Sequence, residues 1–355
     1  MVKLLAVADP HLPIPPQGYG GTERILYEAL QGLAKQGYEI TLLGHPDSKI
    51  EGRVIGYSSS LGRGKLARGW LKWSFRRQLK QLLPQFDVLH AVCRLDYLLP
   101  ALWHPIPKHY LFQNPITPDQ MQMLQQNTQG RLVLSGCGKQ MTLAHQHWGH
   151  WRPIHNATDV EKFTFVEQPR QPPYLAFLGR LTANKGVKQA IELARHAGLP
   201  LHLAGNLPNE PGSQDYFQRE IQPHLDDKNV IYLGEMDDKQ KQQHLGQALA
   251  FVNPVQWDEP FGIVTVEALA CGTPVLACPR GELPYIVEHG VTGFLANEVQ
   301  ELAELVKRIP ELSRSVCREQ AVKRFCTPRM VEKYHEVLQW LLSSDEEVPA
   351  RWQEP

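Results

Sequence analysis

The strongest constraint on the fold is an alternation of short apolar runs with helical patterns, which the chain goes through twice. Apolar runs of four to eight residues bounded by turn residues are typical of strands buried on both faces, and their alternation with helices predicts parallel sheets. We therefore expect two doubly wound α/β domains that bind ligands beyond the carboxyl ends of their strands. The predicted strands are 2–8, 38–44, 86–92, 109–113 and 131–137 in the first round, and 174–180, 199–206, 229–235, 248–255 and 273–279 in the second.

The length of 355 residues also favours two domains of similar size, with a cleft between them. The loose linker "EQPRQPPY" precedes the first strand of the second round. We place the first domain at 1–155 and the second at 156–328.

Composition excludes several classes of protein. The 37 basic and 37 acidic residues cancel, so nothing indicates nucleic acid as the main partner. The six cysteines form no C-x-x-C pair, as expected of reduced thiols in the cytosol. The first residues lack the long apolar region of a signal peptide, and no stretch reaches the ~20 apolar residues of a membrane span. We expect a cytoplasmic protein, at most peripheral to a membrane.

The first loop of interest is "GYGGTER", between the first strand and the first helix. Gly18, Gly20 and Gly21 let the backbone approach a ligand closely, and a helix that begins near an N-cap at Thr22 offers free N–H groups to a phosphate. Gly37 is the expected end of this helix. The alternative is a glycine turn that serves only strand-to-helix packing.

The second loop is "GRLTANKG", after the strand that begins the second round. Arg180 and Lys185 would lie at a strand end, where two cations can neutralise a diphosphate. A pair of solvated surface cations is the alternative.

The third segment is "EPFGIVTVEALACG". Glu259 lies on a loop and Glu267 about one turn inside the following helix, so both carboxylates can point to one region. A carboxylate can accept two hydrogen bonds from a sugar diol, and the N–H groups of 261–264 remain free for phosphate oxygens. In the alternative, one glutamate favours the helix start and the other pairs with a basic neighbour.

These segments, with "HLAGN" and "GELPYIVEHGVTGFL", resemble the family 4 glycosyltransferases, retaining enzymes of the GT-B fold, over residues 1–340 or so. The resemblance implies that Arg180 and Lys185 contact the diphosphate of a nucleotide-sugar, that Glu259 holds the transferred sugar and that Glu267 holds the ribose diol. It also implies a last helix, within 329–355, that crosses back to the first domain. The other implied donor-site residues are Gly20, Gly21, Gly205, Asn206, Phe261, Gly262, Ile263 and Val264.

The acceptor side departs from the family pattern. Gln113 and Asn114 stand where the family often carries a catalytic-site histidine, and Tyr285 replaces a glutamate of the family. His90 or His109 is a candidate substitute for the missing histidine, although a single histidine at a strand end is more often structural. The acceptor therefore stays open: a glycan, a lipid or a small molecule.

The expected reaction is transfer of a hexosyl group from a nucleoside-diphosphate sugar with retention. A UDP-sugar such as UDP-glucose is favoured, and GDP-mannose is possible. The alternatives are a degenerate sugar-nucleotide-binding protein or another GT-B enzyme such as an epimerase. We expect no cofactor and no metal, because no D-x-D lies on a suitable loop and the histidines of "HQHWGHW" diverge on a helix.

The segment 63–83 is basic and aromatic, and no acidic residue lies between Glu51 and Asp87. Such segments can bind anionic lipid. A solvated helix packed on the domain is the alternative, because the helical wheel does not separate apolar from basic residues cleanly. The basic residues between Glu51 and Asp87 are Arg53, Arg63, Lys65, Arg68, Lys72, Arg76, Arg77 and Lys80.

Overall fold

The computed structural model describes residues 1–16, 20–57, 65–343, 347, 349 and 352, with the backbone only for 65–68. Gly18 and Arg63 lie outside the described residues, as does part of the segment 329–355. The chain divides into two units. We call Met1–Asn156 with Thr327–Pro355 unit 1, and Ala157–Cys326 unit 2. These limits lie one or two residues from those placed on the sequence.

Within the described residues, unit 1 forms a parallel seven-stranded sheet in the order β3-β2-β1-β4-β5-β6-β7. The strands are β1 (Val2–Ala8), β2 (Tyr38–Gly44), β3 (Arg53–Gly56), β4 (Val88–Val92), β5 (Lys108–Phe112), β6 (Leu132–Gly136) and β7 (His150–Trp151). Its helices are α1 (Gly21–Lys35), α2 (Lys65–Leu82), α3 (Leu99–Leu102), α4 (Pro118–Asn127), α5 (Gln140–Leu143) and, from the end of the chain, α13 (Thr327–Leu342).

The predicted strands of unit 1 are present, and the two edge strands β3 and β7 are additions. β1, β2 and β4 to β6 are apolar runs buried on both faces, whereas β3 is half-exposed and β7 has two residues. Short edge strands carry no long apolar run, so the pattern that reveals central strands misses them. Thr22 was predicted as the N-cap of α1, and this is wrong: Gly20 is the cap, and Gly37 follows the helix with a positive φ.

The last helix, α13, packs on the sheet and on α1 of unit 1. Gly32 of α1 makes this close approach possible, because a Cβ there would lie 2.3 Å from Cγ2 of Val331. The Tyr38 hydroxyl lies 3.0 Å from Nδ1 of His335 and accepts a hydrogen bond from the amide of Gln339. The expected return of the C-terminal helix to the first domain is therefore present.

Within the described residues, unit 2 forms a parallel six-stranded sheet in the order β10-β9-β8-β11-β12-β13. The strands are β8 (Leu175–Leu178), β9 (Leu201–Ala204), β10 (Val230–Tyr232), β11 (Ala250–Asn253), β12 (Val275–Ala277) and β13 (Gly293–Leu295). Its helices are α6 (Val187–Ala197), α7 (Ser213–Tyr216), α8 (Asp238–Gly246), α9 (Ile263–Ala270), α10 (Leu283–Ile286), α11 (Val299–Leu305) and α12 (Arg314–Phe325).

Both sheets reverse their strand order next to their first strand. In unit 1 the reversal lies between β1 and β4, and in unit 2 between β8 and β11. At such points neighbouring loops diverge and leave a crevice at the carboxyl edge. Along the part of the chain that the structure describes, every helix is too short or too polar to cross a membrane.

Candidate active site

The loops that follow β8 and β11 meet at the reversal point of unit 2. Nζ of Lys185 lies 2.5 Å from Oε2 of Glu259, and both side chains are largely buried. The indole of Trp257 donates to the same carboxylate oxygen, 2.8 Å away, and its ring lies 5.3 Å from the ammonium. The two predicted residues are thus brought together as a charge pair at the carboxyl edge.

A backbone frame fixes this pair. Lys185 ends a 3-10 turn over Ala183–Lys185, and Gly186 follows with φ 75°. A Cβ at Gly186 would lie 1.9 Å from the carbonyl oxygen of Pro254, so only glycine lets the two loops approach this closely. The amide of Gln256 also donates to the carbonyl of Asn184, 2.8 Å away. The cation and the carboxylate are therefore held by rigid loops.

Arg180 lies on the same edge, directly after β8. One of its terminal nitrogens is 3.5 Å from Oε1 of Glu210, an exposed carboxylate. Its Nε is buried and has no hydrogen-bond partner among the described residues. Since a buried N–H without a partner is costly, this group is ready for an incoming acceptor such as a phosphate oxygen.

Glu267 contacts a lysine that the sequence analysis did not single out. Nζ of Lys241, on α8, lies 2.7 Å from Oε1 of Glu267, and both side chains are nearly buried. Asp238 is 3.5 Å from the same ammonium. Both glutamates therefore pair with a basic neighbour in the unliganded structure, as the alternative interpretation proposed for one of them. A carboxylate with one oxygen held by lysine keeps the other for a ligand hydroxyl.

The remaining predicted residues of unit 2 shape the backbone around these side chains. Gly262 is the N-cap of α9 with φ 87°, and the first N–H groups of the helix, at Ile263 and Val264, have no partner within the helix. Phe261 is buried. Gly205 has φ 132°, and a Cβ there would lie 1.8 Å from the carbonyl of Gly179, while the carbonyl of Asn206 accepts from the amide of Leu181.

In unit 1, the two predicted glycines of the first loop differ. A Cβ at Gly20 would lie 2.8 Å from Pro16 and 3.0 Å from Oε2 of Glu23, so this glycine is needed for packing. A Cβ at Gly21 would meet no atom of the described residues within 4 Å. Gly21 therefore leaves open space at the start of α1 among the described residues, whereas the Glu23 carboxylate lies beside Gly20.

His90 does not reach the carboxyl edge of unit 1. Its side chain is 1% exposed and lies between the sheet and α13, where its ring stacks on His109 of β5 and packs against Tyr334 of α13. The hydroxyl of Ser135 donates a hydrogen bond to the carbonyl of Arg152, so its oxygen accepts a hydrogen bond from Nε2 of His109. Nδ1 of His109 therefore carries no proton, and it accepts a hydrogen bond from Nδ1 of His90, 2.9 Å away. Both rings are neutral in this arrangement, and burial lowers the pKa of His90 to about 4.

This placement speaks against His90, and against His109, as substitutes for the family histidine. Gln113 and Asn114 do line a cavity at the edge, and the amide of Gln113 exchanges two 2.8 Å hydrogen bonds with that of Asn156. The described residues contain no group of three or more potential metal ligands. The rings of His145 and His150 pack against Trp151 and Trp340.

Comparisons with known proteins agree with this architecture. Among solved structures, the chain is similar to sucrose-phosphate synthase from Thermosynechococcus elongatus, with a TM-score of 0.80 and 18% identity over 97% of this chain and 100% of that one. It is also similar to Anabaena HepE in complex with UDP and glucose, with a TM-score of 0.72 and 19% identity over 96% and 100% of the two chains. These similarities define the class: two α/β domains in the GT-B fold.

Family models refine the class. The model described as Glycosyltransferase Family 4 matches residues 19–114, and the model described as Glycosyl transferases group 1 matches residues 159–324. The chain belongs to the family 4 glycosyltransferases. Among curated proteins it is 29% identical over 205 residues to alpha-maltose-1-phosphate synthase from Mycolicibacterium smegmatis, covering 53% of each chain. The match thus spans about half the length of that relative.

Proposed function

We propose that the protein is a retaining glycosyltransferase that transfers a hexosyl group from a UDP-sugar, UDP-glucose being favoured over GDP-mannose, to a hydroxyl of an acceptor. The observation that carries this proposal is the buried contact of Lys185 with Glu259 at the reversal point of unit 2. The Anabaena structure with UDP and glucose bound to the same fold supports the choice of nucleotide.

In this proposal the donor replaces the internal ion pair of Lys185 with Glu259. Lys185 exchanges the Glu259 carboxylate for the diphosphate, and Glu259 accepts hydroxyl hydrogens of the transferred sugar. Arg180 and the free N–H groups at the start of α9 also face the diphosphate, so negative charge is stabilised as the glycosidic bond to it breaks. Glu267, held by Lys241, accepts hydrogen bonds from the two ribose hydroxyls.

No separate base is required for the acceptor proton. The leaving diphosphate oxygen is basic enough to take it while the acceptor hydroxyl attacks from the same face, which gives retention at the anomeric carbon. Cations and N–H groups already neutralise the diphosphate, and we therefore propose a metal-independent reaction.

The donor is tested by incubating the protein with UDP-, GDP-, ADP- and dTDP-sugars, without and with a panel of glycan, lipid and small-molecule acceptors, and recording the melting temperature and the nucleoside diphosphate released. A bound donor raises the melting temperature by mass action. Release of UDP with an α-linked product would support the proposal. Donor binding without any turnover would instead indicate a degenerate binding protein, and an altered sugar on intact UDP would indicate an epimerase.

We further propose a cytoplasmic enzyme whose helix α2 contacts anionic membranes. Leu71, Phe75 and Leu79 are buried, whereas Trp70 and Trp73 are 52% and 57% exposed. The guanidinium of Arg77 lies 5.7 Å from the centre of the Trp73 ring. The structure thus separates the apolar face from an outer face of tryptophan and basic residues, as suits an interfacial helix.

Sedimentation with vesicles tests this contact. Wild-type protein is expected to bind phosphatidylserine-rich vesicles at low salt and phosphatidylcholine vesicles weakly, since the attraction is electrostatic. The double variant Trp70→Ser/Trp73→Ser should lose binding while the melting temperature stays unchanged. Equal binding of the variant and the wild type would remove the proposal.

A further inference from the structure

Unit 1 holds a cavity of about 240 Å³ at the carboxyl edge of its sheet. It lies where the strand order reverses, because its lining comes from the ends of β1, β4 and β5 and from the first turns of α1. Crevices of this kind are the usual ligand sites of such sheets. The volume lies below the ~300 Å³ of pockets that hold drug-sized molecules, so it suits a ligand of about one sugar ring.

The described polar lining combines carboxylates and side-chain amides with Thr22, Tyr110 and Arg94. Asp9 and Glu23 contribute carboxylates, and Gln113 and Asn114 contribute side-chain amides. Asp9 is fixed, because one of its oxygens accepts from the backbone amide of Arg94, 3.1 Å away. Burial, with the Asp9 carboxylate as a lesser cause, raises the pKa of Glu23. Carboxylate and amide groups in a small crevice match the donor hydrogens of vicinal hydroxyls.

The charges oppose an anionic ligand. Arg94 is the one cation among the described residues that line the cavity, and its Nε already lies 3.6 Å from Oδ2 of Asp9. Its Nη1 lies 3.0 Å from Nε2 of His11, whose pKa is lowered by burial and by Arg94. A phosphate placed here would face two carboxylates against the single guanidinium of Arg94, which already lies beside Asp9, so like-charge repulsion opposes it.

We propose that this cavity binds the acceptor and that the acceptor is an uncharged sugar or polyol, whose hydroxyls are held by Asp9 and Glu23. The proposal rests on the proposed glycosyl transfer and names the acceptor class for it. Phosphorylated sugars are excluded by the same two carboxylates, because their phosphate would be repelled where the hydroxyls of a neutral sugar are bound.

The proposal is tested on the full chain with UDP-glucose present, by titrating neutral mono- and disaccharides and the phosphate esters of the same sugars. Binding is followed by calorimetry and transfer by UDP release. At least one neutral sugar is expected to bind and accept glucose. Asp9→Asn and Glu23→Gln should each raise the KM for this sugar about tenfold or more, because each removes a hydrogen bond to a charged group. The Kd of UDP should stay unchanged. The matched control is Glu39→Gln, an exposed carboxylate at the amino end of β2.

Several outcomes would overturn the proposal. It fails if only phosphate esters bind and Arg94→Gln abolishes their binding, if no sugar binds, or if Asp9→Asn and Glu23→Gln behave like Glu39→Gln. These failures are distinct from failure of the proposed function. If the proposed function itself were wrong, UDP-sugars would not bind and no UDP would be released with any acceptor.

Discussion

The carboxyl edges of the two sheets carry opposite arrangements of charge. In unit 2, the buried carboxylates of Glu259 and Glu267 each contact a lysine at 2.5–2.7 Å. In unit 1, Asp9 and Glu23 line a cavity with a single arginine among its described residues. The exchangeable ion pair of Lys185 with Glu259 suits a charged ligand, because each partner can turn to the ligand without being left unpaired. Carboxylates that outnumber the cations beside them suit a neutral ligand rich in hydroxyls.

The largest expected effect comes from breaking the unit 2 edge at Lys185. Lys185→Ala removes a cation that we place on the leaving diphosphate, and kcat/KM should fall about 10²- to 10³-fold, the usual cost of one group that stabilises developing charge. The matched control is Lys188→Ala. Lys188 is the second residue of α6 and forms a more exposed ion pair with Glu220. Similar turnover by both variants would remove Lys185 from the mechanism.

The second effect concerns the buried histidine pair of unit 1. Folded His90 has a pKa of about 4, below the ~6.5 of an unfolded histidine, so the unfolded chain binds more protons between these values. Its contribution to the free energy of unfolding is complete above pH 6.5 and is lost as the pH falls towards 4, by about 3 kcal/mol in all.

Urea unfolding of wild type and His90→Asn at pH 7 and pH 4.5 measures this contribution. The variant should lose less stability on acidification, while its kcat at pH 7 stays within about threefold of wild type, because the ring does not reach the edge. If kcat fell a hundredfold with normal donor binding, His90 would be catalytic after all.

The third effect tests Lys241 as a positioning residue. Lys241→Met frees the Glu267 carboxylate to turn, so the KM for the donor should rise about tenfold with little change in kcat, as expected when a ground-state contact is weakened. Lys241→Arg should restore most of the affinity. Lys239→Met, on the exposed side of the same helix, is the control. An unchanged KM in Lys241→Met would make the ion pair purely structural.

Lys241 also shows where sequence patterns stop being informative. The central strands were predictable because strands buried on both faces consist of a local apolar run. Lys185 and Glu259 were predictable because their motifs follow strand ends. The partner of Glu267 lies 26 residues away on another helix, and no local pattern marks it. The burial of His90 depends on α13, which lies more than 200 residues further along the sequence.

The smallest effect distinguishes the two glycines at the start of α1. Gly21→Ala should raise the free energy of unfolding by about 0.5–1 kcal/mol, because alanine restricts the unfolded chain and a Cβ at this position meets no described residue within 4 Å. Gly20→Ala, which would bring a Cβ to 2.8 Å from Pro16, should destabilise and serves as the contrast.

Gly21→Ala therefore separates stability from ligand contact. If the donor phosphates approach the backbone at Gly21, the stabilised variant should show a raised KM for the donor, since the added methyl group occupies the space that the ligand needs. An unchanged KM, measured together with the melting temperature, would show that this glycine serves only the turn. The phosphate contacts of the donor would then belong to unit 2 alone, since the Glu23 carboxylate next to Gly20 would repel a phosphate at this loop.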